Sequence, residues 1–314
     1  MIHAYVIEGD RVRHLASPDP ACLREALWID LVDPTPEERE QVDALHREAL
    51  PEPEEVDEIE ATSRAYEDES GLHLHTFFLV ERDGKAHLET AAFTLTDGRL
   101  ITLRDVELPA FRLLRRRLLR MDPARIDPTG LLLEVVEIAL DRLADHIEAG
   151  YAHLDEVGKM VLATSERQPE QAIDRLARVE DANGKIRLCL MDLQRALTFL
   201  IRRLNPEREQ HPRIRDLLRD IESLLPHNGY LFDKINFLMD AALGFINVEQ
   251  NQIIKIFSIA AVVFLPPTLV ASIYGMNFHH MPELDWPWGY PLALALMVVT
   301  GIAPYWYFKR KGWL

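Results

Sequence analysis

The residues with the clearest chemical pattern form a short turn, Gly275-Met276-Asn277, between two long uncharged stretches near the end of the 314-residue chain. Gly275 permits left-handed backbone geometry and is expected to end the helix before it. Asn277 offers a neutral carboxamide oxygen. A ring of such oxygens suits a cation that keeps its water shell, because Mg²⁺ dehydrates reluctantly. Glu283 and Asp285 are the only Asp, Glu, Lys or Arg between the stretches and are expected to attract cations.

A polar stripe precedes this turn. Its members recur every three or four residues, so they share one face of a predicted helix: Asn251, Ile254, Ser258, Ala261, Leu265, Thr268 and Ser272. In a symmetric ring of chains the stripe would line a pore, with Ile254 and Leu265 as apolar constrictions. The alternative is that the hydroxyls bond back to carbonyls of their own helix. Pro266 and Pro267 leave the carbonyls of Val262 and Val263 without intrahelical donors, which a neighbouring helix makes tolerable.

Both uncharged stretches are long enough to cross a membrane. Residues 256–273 number about 18 and residues 286–308 about 23. Lys255 precedes the first stretch, Lys309-Arg310-Lys311 follow the second, and no Lys or Arg lies between them. The positive-inside rule therefore predicts that both termini are cytoplasmic and that the turn faces outward. The N-terminal residues lack the pattern of a signal peptide, so the first 250 or so residues are expected to stay in the cytoplasm.

The composition limits the kinds of binding partner and site that the chain is expected to have. The chain has 51 acidic and 35 basic residues and a net charge of -16. Nucleic acid is therefore not an expected partner, because binding phosphates requires a basic surface. The two cysteines, Cys22 and Cys189, provide no disulfide framework and no cysteine-based zinc site, which fits a reducing compartment.

The first third of the chain predicts a sheet with interleaved helices. Alternating apolar residues separated by Asp83-Gly84 and Asp97-Gly98 predict strands at 72–81, 87–96 and 99–104, to which 1–7 and 27–32 add two more. Thr35 is a good N-cap and Pro36 a good first residue for a helix over 36–48. The fold class is α+β, as a mixed α/β/α sandwich whose strand order the pattern leaves open.

Long helices follow the sheet. Helical patterns cover about 130–165 and 169–203, and a third runs from residue 213, with a possible kink at Pro226, into the first apolar stretch. The predicted organisation is a cytoplasmic α/β domain (1–128), a long helical hairpin (129–212), a stalk helix continuing as the first transmembrane helix (213–274), a periplasmic loop (275–289), a second transmembrane helix (290–308) and a basic cytoplasmic tail (309–314).

Several motifs together resemble the CorA family of magnesium channels. They are Phe264-Leu265-Pro266-Pro267-Thr268, Tyr274-Gly275-Met276-Asn277-Phe278, Met281-Pro282-Glu283-Leu284 and the ending Tyr307-Phe308-Lys309-Arg310-Lys311-Gly312-Trp313-Leu314. The resemblance implies a funnel-shaped homopentamer in the lipid of the bacterial inner membrane. It also implies passive Mg²⁺ influx, admission of Co²⁺ and Ni²⁺, and gating by intracellular Mg²⁺, which would then be both the transported ion and a regulatory ligand.

The resemblance also assigns roles to residues. Gly275, Met276 and Asn277 look like the selectivity filter, and the positions that line the family's pore correspond to Asn251, Ile254, Phe257, Leu265 and Thr268, with Asp240 at the cytoplasmic mouth. Asp216 matches a stalk acid that helps to hold a regulatory Mg²⁺ between subunits, and its partner is expected near Asp83. One departure is His279-His280, at a place where the family commonly has an acid.

Two other functions remain open from the sequence. A transporter of zinc or another transition metal with the same fold is favoured by His279-His280 and disfavoured by the intact Gly-Met-Asn turn. A membrane-tethered cytosolic enzyme is the alternative of another class. The sequence has no phosphate-binding Gly-rich motif, no Ser/His/Asp-like cluster and no metal-hydrolase histidine spacing, so we do not expect an enzyme.

Overall fold

The computed structural model describes residues 1–16, 18–45, 64–96, 98–163, 168–205, 209–277, 279, 281–282 and 285–312. The chain forms two compact units, Met1–Asp240 and Ala241–Leu314. The first contains, in order, β1 (Ile2–Glu8), β2 (Arg11–Ala16), α1 (Pro20–Glu25), β3 (Trp28–Val32), α2 (Pro36–Asp43), β4 (Ala65–Glu67), β5 (Leu72–Arg82), β6 (Lys85–Leu95), β7 (Leu100–Arg104), α3 (Pro109–Leu118), α4 (Pro128–Leu162) and α5 (Pro169–Arg203). Helix α6 (Gln210–Tyr274) belongs to both units, and α7 (Gly289–Arg310) belongs to the second.

The seven strands form one mixed sheet in the order β2-β1-β3-β7-β6-β5-β4. Strands β3 and β7 pair in parallel, and the other neighbours are antiparallel. Helices α1 and α2 cover one face through an apolar cluster that includes Leu23, Ile29 and Val42, while α4 and α5 contact the strands from the other layer. The predicted mixed α/β/α sandwich is therefore confirmed.

Local sequence signals explain several boundaries. Asp83 and Gly84 have positive φ angles of 52° and 69°, so the predicted Asp-Gly turn joins β5 to β6 as a tight hairpin. Thr35 accepts from the Glu38 amide, and the Glu38 carboxylate accepts from the Thr35 amide, which is a capping box. Helix α2 ends at Asp43, earlier than predicted, and residues 46–48 lie outside the described part of the chain.

A buried polar network lies at the centre of the sheet. The Arg104 guanidinium, which has no exposed side-chain area, donates to Asp30 Oδ2 at 2.6 Å and to the Val106 carbonyl at 2.9 Å. Asp30 Oδ1 accepts from the Thr102 hydroxyl at 2.8 Å. The Arg104 guanidinium also lies 4.4 Å from the centre of the Phe111 ring. This network ties the parallel pair β3 and β7 to α3.

The part of α6 that lies in the first unit has a heptad-like buried stripe. Its fully or nearly buried residues are Ile214, Leu217, Ile221, Asn228, Leu231, Ile235 and Leu238. The Asn228 side chain donates to the carbonyl of Asn183 at 2.8 Å, and the Asn183 side chain donates to the carbonyl of Asn228 at 3.1 Å. Such a reciprocal pair fixes the register of α6 against α5, since a shift would leave buried amides unpaired. The helix continues through Pro226 without interruption.

Two helices of the described chain, α6 and α7, are long and apolar enough to span a membrane. The apolar window of α6 has none of its residues buried within the chain, and that of α7 has 6%. An apolar helix that the chain itself leaves uncovered needs an apolar environment from outside, which here is lipid or other copies of the chain.

Candidate functional site

The predicted turn lies directly after α6. The Gly275 amide donates to the Ala271 carbonyl at 3.0 Å, and the Met276 amide donates to that of Ile273 at 3.2 Å, so two of the last four helical carbonyls are satisfied. Helix α6 ends at Tyr274, directly before Gly275 as predicted, although the φ of Gly275 is not positive. A Cβ at this position would lie 3.1 Å from the Ala271 carbonyl oxygen. Glycine is therefore favoured here because a side chain would crowd the Ala271 carbonyl oxygen, and not because the backbone has an unusual φ.

The residues that follow the helix are exposed. Met276 is 47% exposed, and Asn277 and His279 are exposed as well, so the Asn277 carboxamide is open to solvent or to another copy of the chain. Asp285 is exposed at the approach to α7. Glu283 and His280 lie outside the described residues.

The residues predicted to line the pore are exposed, as are most of their neighbours in the apolar part of α6. Asn251, Ile254, Phe257, Leu265 and Thr268 are all exposed, with Phe257 at 72% and Leu265 at 65%. The Thr268 hydroxyl donates to the Phe264 carbonyl at 2.7 Å, which is the back-bonding alternative considered above. In a single chain this hydroxyl is therefore satisfied, although its oxygen can still accept a hydrogen bond from water.

Helix α7 packs against the other side of α6. A Cβ added at Gly301 would lie 3.4 Å from Pro267 Cγ and 3.7 Å from the Val263 carbonyl oxygen. Pro267 is two residues from Leu265, which places the two side chains roughly 200° apart around the helix. At the level of Leu265 the stripe is therefore not covered by α7, whereas Ser258 lines a cleft together with Phe308 of α7. Gly301 also lies over the carbonyl that Pro267 leaves without an amide donor, as expected for a proline tolerated by a neighbouring helix.

The acid predicted at the cytoplasmic mouth of the pore and the acids predicted to bind a regulatory Mg²⁺ lie at separate places in the chain. Asp240 is exposed on α6 at the boundary between the two units. Asp216, also on α6, is exposed and accepts from Arg219 at 2.9 Å. Asp83 is exposed at the β5–β6 turn. Among the described residues, no three His, Cys, Asp or Glu side chains are grouped to hold a metal ion.

The sequence did not show that acids of α4, centred on Asp141, lie near the part of α6 that carries Asp216. Partial burial raises the pKa of Asp141 on α4 above its usual value, the negative charges of Glu137, Asp145 and Asp220 raise it further, and the positive charge of Arg117 opposes the shift. Asp220 is on α6, one turn from Asp216, so acids of α4 and α6 lie near enough for their charges to interact. The signal available in the sequence was the i, i+4 repeat of acids at 137, 141 and 145, which also fits a solvated helix face.

Comparison with known proteins shows the family to which the chain belongs. The family model described as "CorA-like Mg2+ transporter protein" matches residues 24–310. The chain belongs to this family. The magnesium transport protein CorA of Yersinia pseudotuberculosis is 50% identical over 316 residues, and that of Escherichia coli is 49% identical over 317, with 100% of each chain covered.

Solved structures agree on the fold. The complete structure of the CorA magnesium transporter from Methanocaldococcus jannaschii superposes with a TM-score of 0.77 at 21% identity, covering 100% of this chain and 99% of that one. The predicted fold class of an α/β domain, long helices and two C-terminal apolar helices is therefore confirmed. The curated relatives are named as transport proteins, which places the chain in a family of Mg²⁺ transporters.

Proposed function

We propose that this protein is a passive Mg²⁺ influx channel that works as a homopentamer. The observation that carries the proposal is the exposed stripe of α6, which ends at the exposed Asn277 in a chain of the CorA-like family. One two-helix chain cannot enclose a water-filled path, whereas five copies around an axis can bring five stripes together. Five Asn277 oxygens would then hold a hydrated Mg²⁺ through its water shell, with Gly275 and Met276 shaping the ring.

The pore below this filter would be lined by the stripe. Thr268 and Asn251 supply polar atoms, and Leu265, Phe257 and Ile254 supply apolar constrictions that dewet when the ring narrows. Asp240 would attract cations at the cytoplasmic mouth, and Glu283 with Asp285 at the outer mouth. Co²⁺ and Ni²⁺, which also form hydrated octahedral ions, would be admitted by the same filter.

The basic residues support a membrane topology. Lys255 precedes the apolar stretch of α6, and Lys309, Arg310 and Lys311 lie at the end of α7, whereas residues 276–307 contain no Lys or Arg. Both termini would be cytoplasmic in the bacterial inner membrane, and Asn277 would face outward. The first unit would be a cytoplasmic domain and not an enzyme.

A bacterial strain deleted for its own Mg²⁺ uptake systems provides the test. Expression of this chain should restore growth in low-magnesium medium, because passive influx follows the membrane potential inward. Expression of the Asn277→Ala variant to the same level in the membrane is the matched control and should not restore growth. Failure of the wild-type chain, when it is present in the membrane, would contradict the proposal.

Intracellular Mg²⁺ would close the channel by bridging acids of neighbouring chains. Asp216 and Asp83 are both exposed, and the family resemblance implies that a shared ion would lie between Asp216 of one chain and Asp83 of its neighbour. The carboxylates of Glu137, Asp145 and Asp220, which raise the pKa of Asp141 against the opposing charge of Arg117, support a cation-attracting surface near Asp216. Shifting a channel from mostly open to mostly closed takes about 5.5 kcal/mol, which is roughly 1 kcal/mol at each of five interfaces. A weak, partly hydrated carboxylate site can supply that much.

Asp216→Ala combined with Asp83→Ala should weaken this closure. Higher internal Mg²⁺ should be needed to stop uptake, and Mg²⁺ should protect α6 less against protease. Arg219→Gln should do the opposite, because it removes the guanidinium that now pairs with Asp216. Glu222→Ala, which removes another exposed acid from α6, is the control. An unchanged Mg²⁺ dependence in the double variant would place regulation elsewhere.

A further inference from the structure

A cleft in the second unit lies between the cytoplasmic ends of the two membrane-spanning helices. It has a volume of about 390 Å³ and is lined by Lys255, Ser258, Ile259, Val262, Phe308 and Gly312. We propose that this cleft binds an anionic phospholipid of the cytoplasmic leaflet, with the headgroup phosphate on Lys255. The inference rests on the membrane topology proposed above and concerns a ligand other than the transported ion.

The cleft has the two-part chemistry that a phospholipid requires. Lys255 is the last charged residue of α6 before its apolar stretch, and Ile259 and Val262 continue the same wall as apolar side chains. Further along the two helices, a separate apolar groove of about 520 Å³ is lined by residues that include Met297, Gly301 and Pro267. A charged entrance with apolar grooves beyond it fits a phosphate followed by an acyl chain.

Charge explains why the occupant would be anionic. The chain as a whole carries a net charge of -16, yet Lys255, Lys309, Arg310 and Lys311 are all exposed around this one end of the helix pair. The α7 backbone ends here, with Gly312 at a φ of +71°. A helix C-terminus bears partial negative charge and does not attract phosphate by itself, so the lysine on the facing wall is the group that would hold it.

Aromatic residues place this cleft at a membrane surface. Tyr305, Trp306 and Tyr307 are exposed beside it, and the Arg310 guanidinium lies 5.4 Å from the centre of the Trp306 ring. Trp288 and Tyr290 are exposed at the opposite end of α7. Tyr305 is 17 positions after Trp288, a separation of about 25 Å along a helix, which is close to the roughly 30 Å of hydrocarbon in a bilayer. Two such aromatic belts mark the two interfaces, and the cleft lies at the basic one.

Native mass spectrometry of the purified full-length protein tests the site. Phosphatidylglycerol and phosphatidylcholine with the same acyl chains are titrated, and the lipids retained per assembly are counted. We expect phosphatidylglycerol to be preferred, with up to one per chain. Lys255→Gln should weaken its retention about five-fold, the effect of one basic residue at an anionic surface. Lys255→Arg should keep the preference, and Lys234→Gln, on the same helix but outside the cleft, should leave retention unchanged.

Further measurements distinguish a bound phospholipid from other possible ligands of the cleft. Ile259→Trp keeps every charge but fills the cleft, so it should also reduce retention of phosphatidylglycerol. An excess of glycerol 3-phosphate should not displace the lipid, because it lacks the acyl chains. Equal retention of the two lipids by the wild-type protein, unchanged preference in Lys255→Gln, or displacement by glycerol 3-phosphate would each overturn the proposal. The measurement involves no Mg²⁺ flux, so its failure is distinguishable from failure of the channel function.

Discussion

Replacing Asn277 with alanine should abolish Mg²⁺ entry while leaving the assembly of chains intact. Asn277 is exposed just after α6, so its loss leaves no cavity in the described structure. Each carboxamide that contacts the water shell of the ion contributes about 0.5–1.5 kcal/mol. Loss of all five should lower occupancy of the filter by roughly 100-fold or more. The measurement is the rate of Mg²⁺ entry into liposomes that contain an Mg²⁺-sensitive dye, together with the mass of the purified assembly.

The matched control makes the same exchange at an exposed position outside the predicted pore stripe. Asn236→Ala on α6 should conduct like the wild-type protein. Wild-type flux through Asn277→Ala would remove this residue from the mechanism. A change in oligomeric mass would instead show that the turn holds the chains together, which would contradict a filter role based on an exposed side chain.

The second large effect is expected on stability. Arg104→Met should lower the free energy of unfolding by about 3–5 kcal/mol, because it leaves the buried Asp30 carboxylate without its closest cation. Asp30 would keep the Thr102 hydroxyl and Arg115, whose guanidinium lies 3.2 Å away. For a unit of this size the thermal midpoint should fall by roughly 10 °C, measured at one fixed scan rate because membrane proteins often unfold irreversibly.

An exposed arginine provides the comparison. Arg13 pairs with Glu8 at 2.9 Å, but both side chains are more than half exposed. Arg13→Met should therefore change the midpoint little, since exposed ion pairs contribute about 0–1 kcal/mol. Adding Asp30→Leu to Arg104→Met should recover part of the lost stability, because an apolar pair leaves no buried charge. Equal midpoints for Arg104→Met and the wild-type protein would show that the buried pair contributes nothing to stability.

Much of the fold could be predicted because its signals are local. Thr35 with Pro36 marked the start of α2, Asp83-Gly84 marked a hairpin, and the long apolar periods marked α4 to α6. Strands β2 and β4 were missed, since β2 is mostly exposed and β4 has only three residues, so neither shows alternation. The order of the strands depends on contacts such as Asp30 with Arg104, which are 74 residues apart, and no local pattern encodes them.

The candidate site was predictable in part for a similar reason. The stripe is a periodic pattern along one helix, and the turn follows that helix directly. Local sequence was therefore enough to predict the positions of both. Gly275 was correctly predicted to follow the end of α6, but the close approach of the Ala271 carbonyl, which favours glycine there, is not encoded by any local pattern. The acids around Asp141 could not be found, since their meeting depends on how α4 packs beside α6. The roles of Asn277, Asp240, Asp216 and Asp83 stay predictions.

Passive Mg²⁺ conduction is tested most directly by Mg²⁺ entry into liposomes that contain only the purified wild-type protein. The external Mg²⁺ concentration is raised with no gradient of any other ion, and the internal dye is followed in the presence and absence of Co²⁺ or Ni²⁺. The proposed channel predicts rapid Mg²⁺ entry that these competing ions reduce. Entry no faster than in protein-free liposomes, or entry that requires a gradient of a second ion, would contradict it.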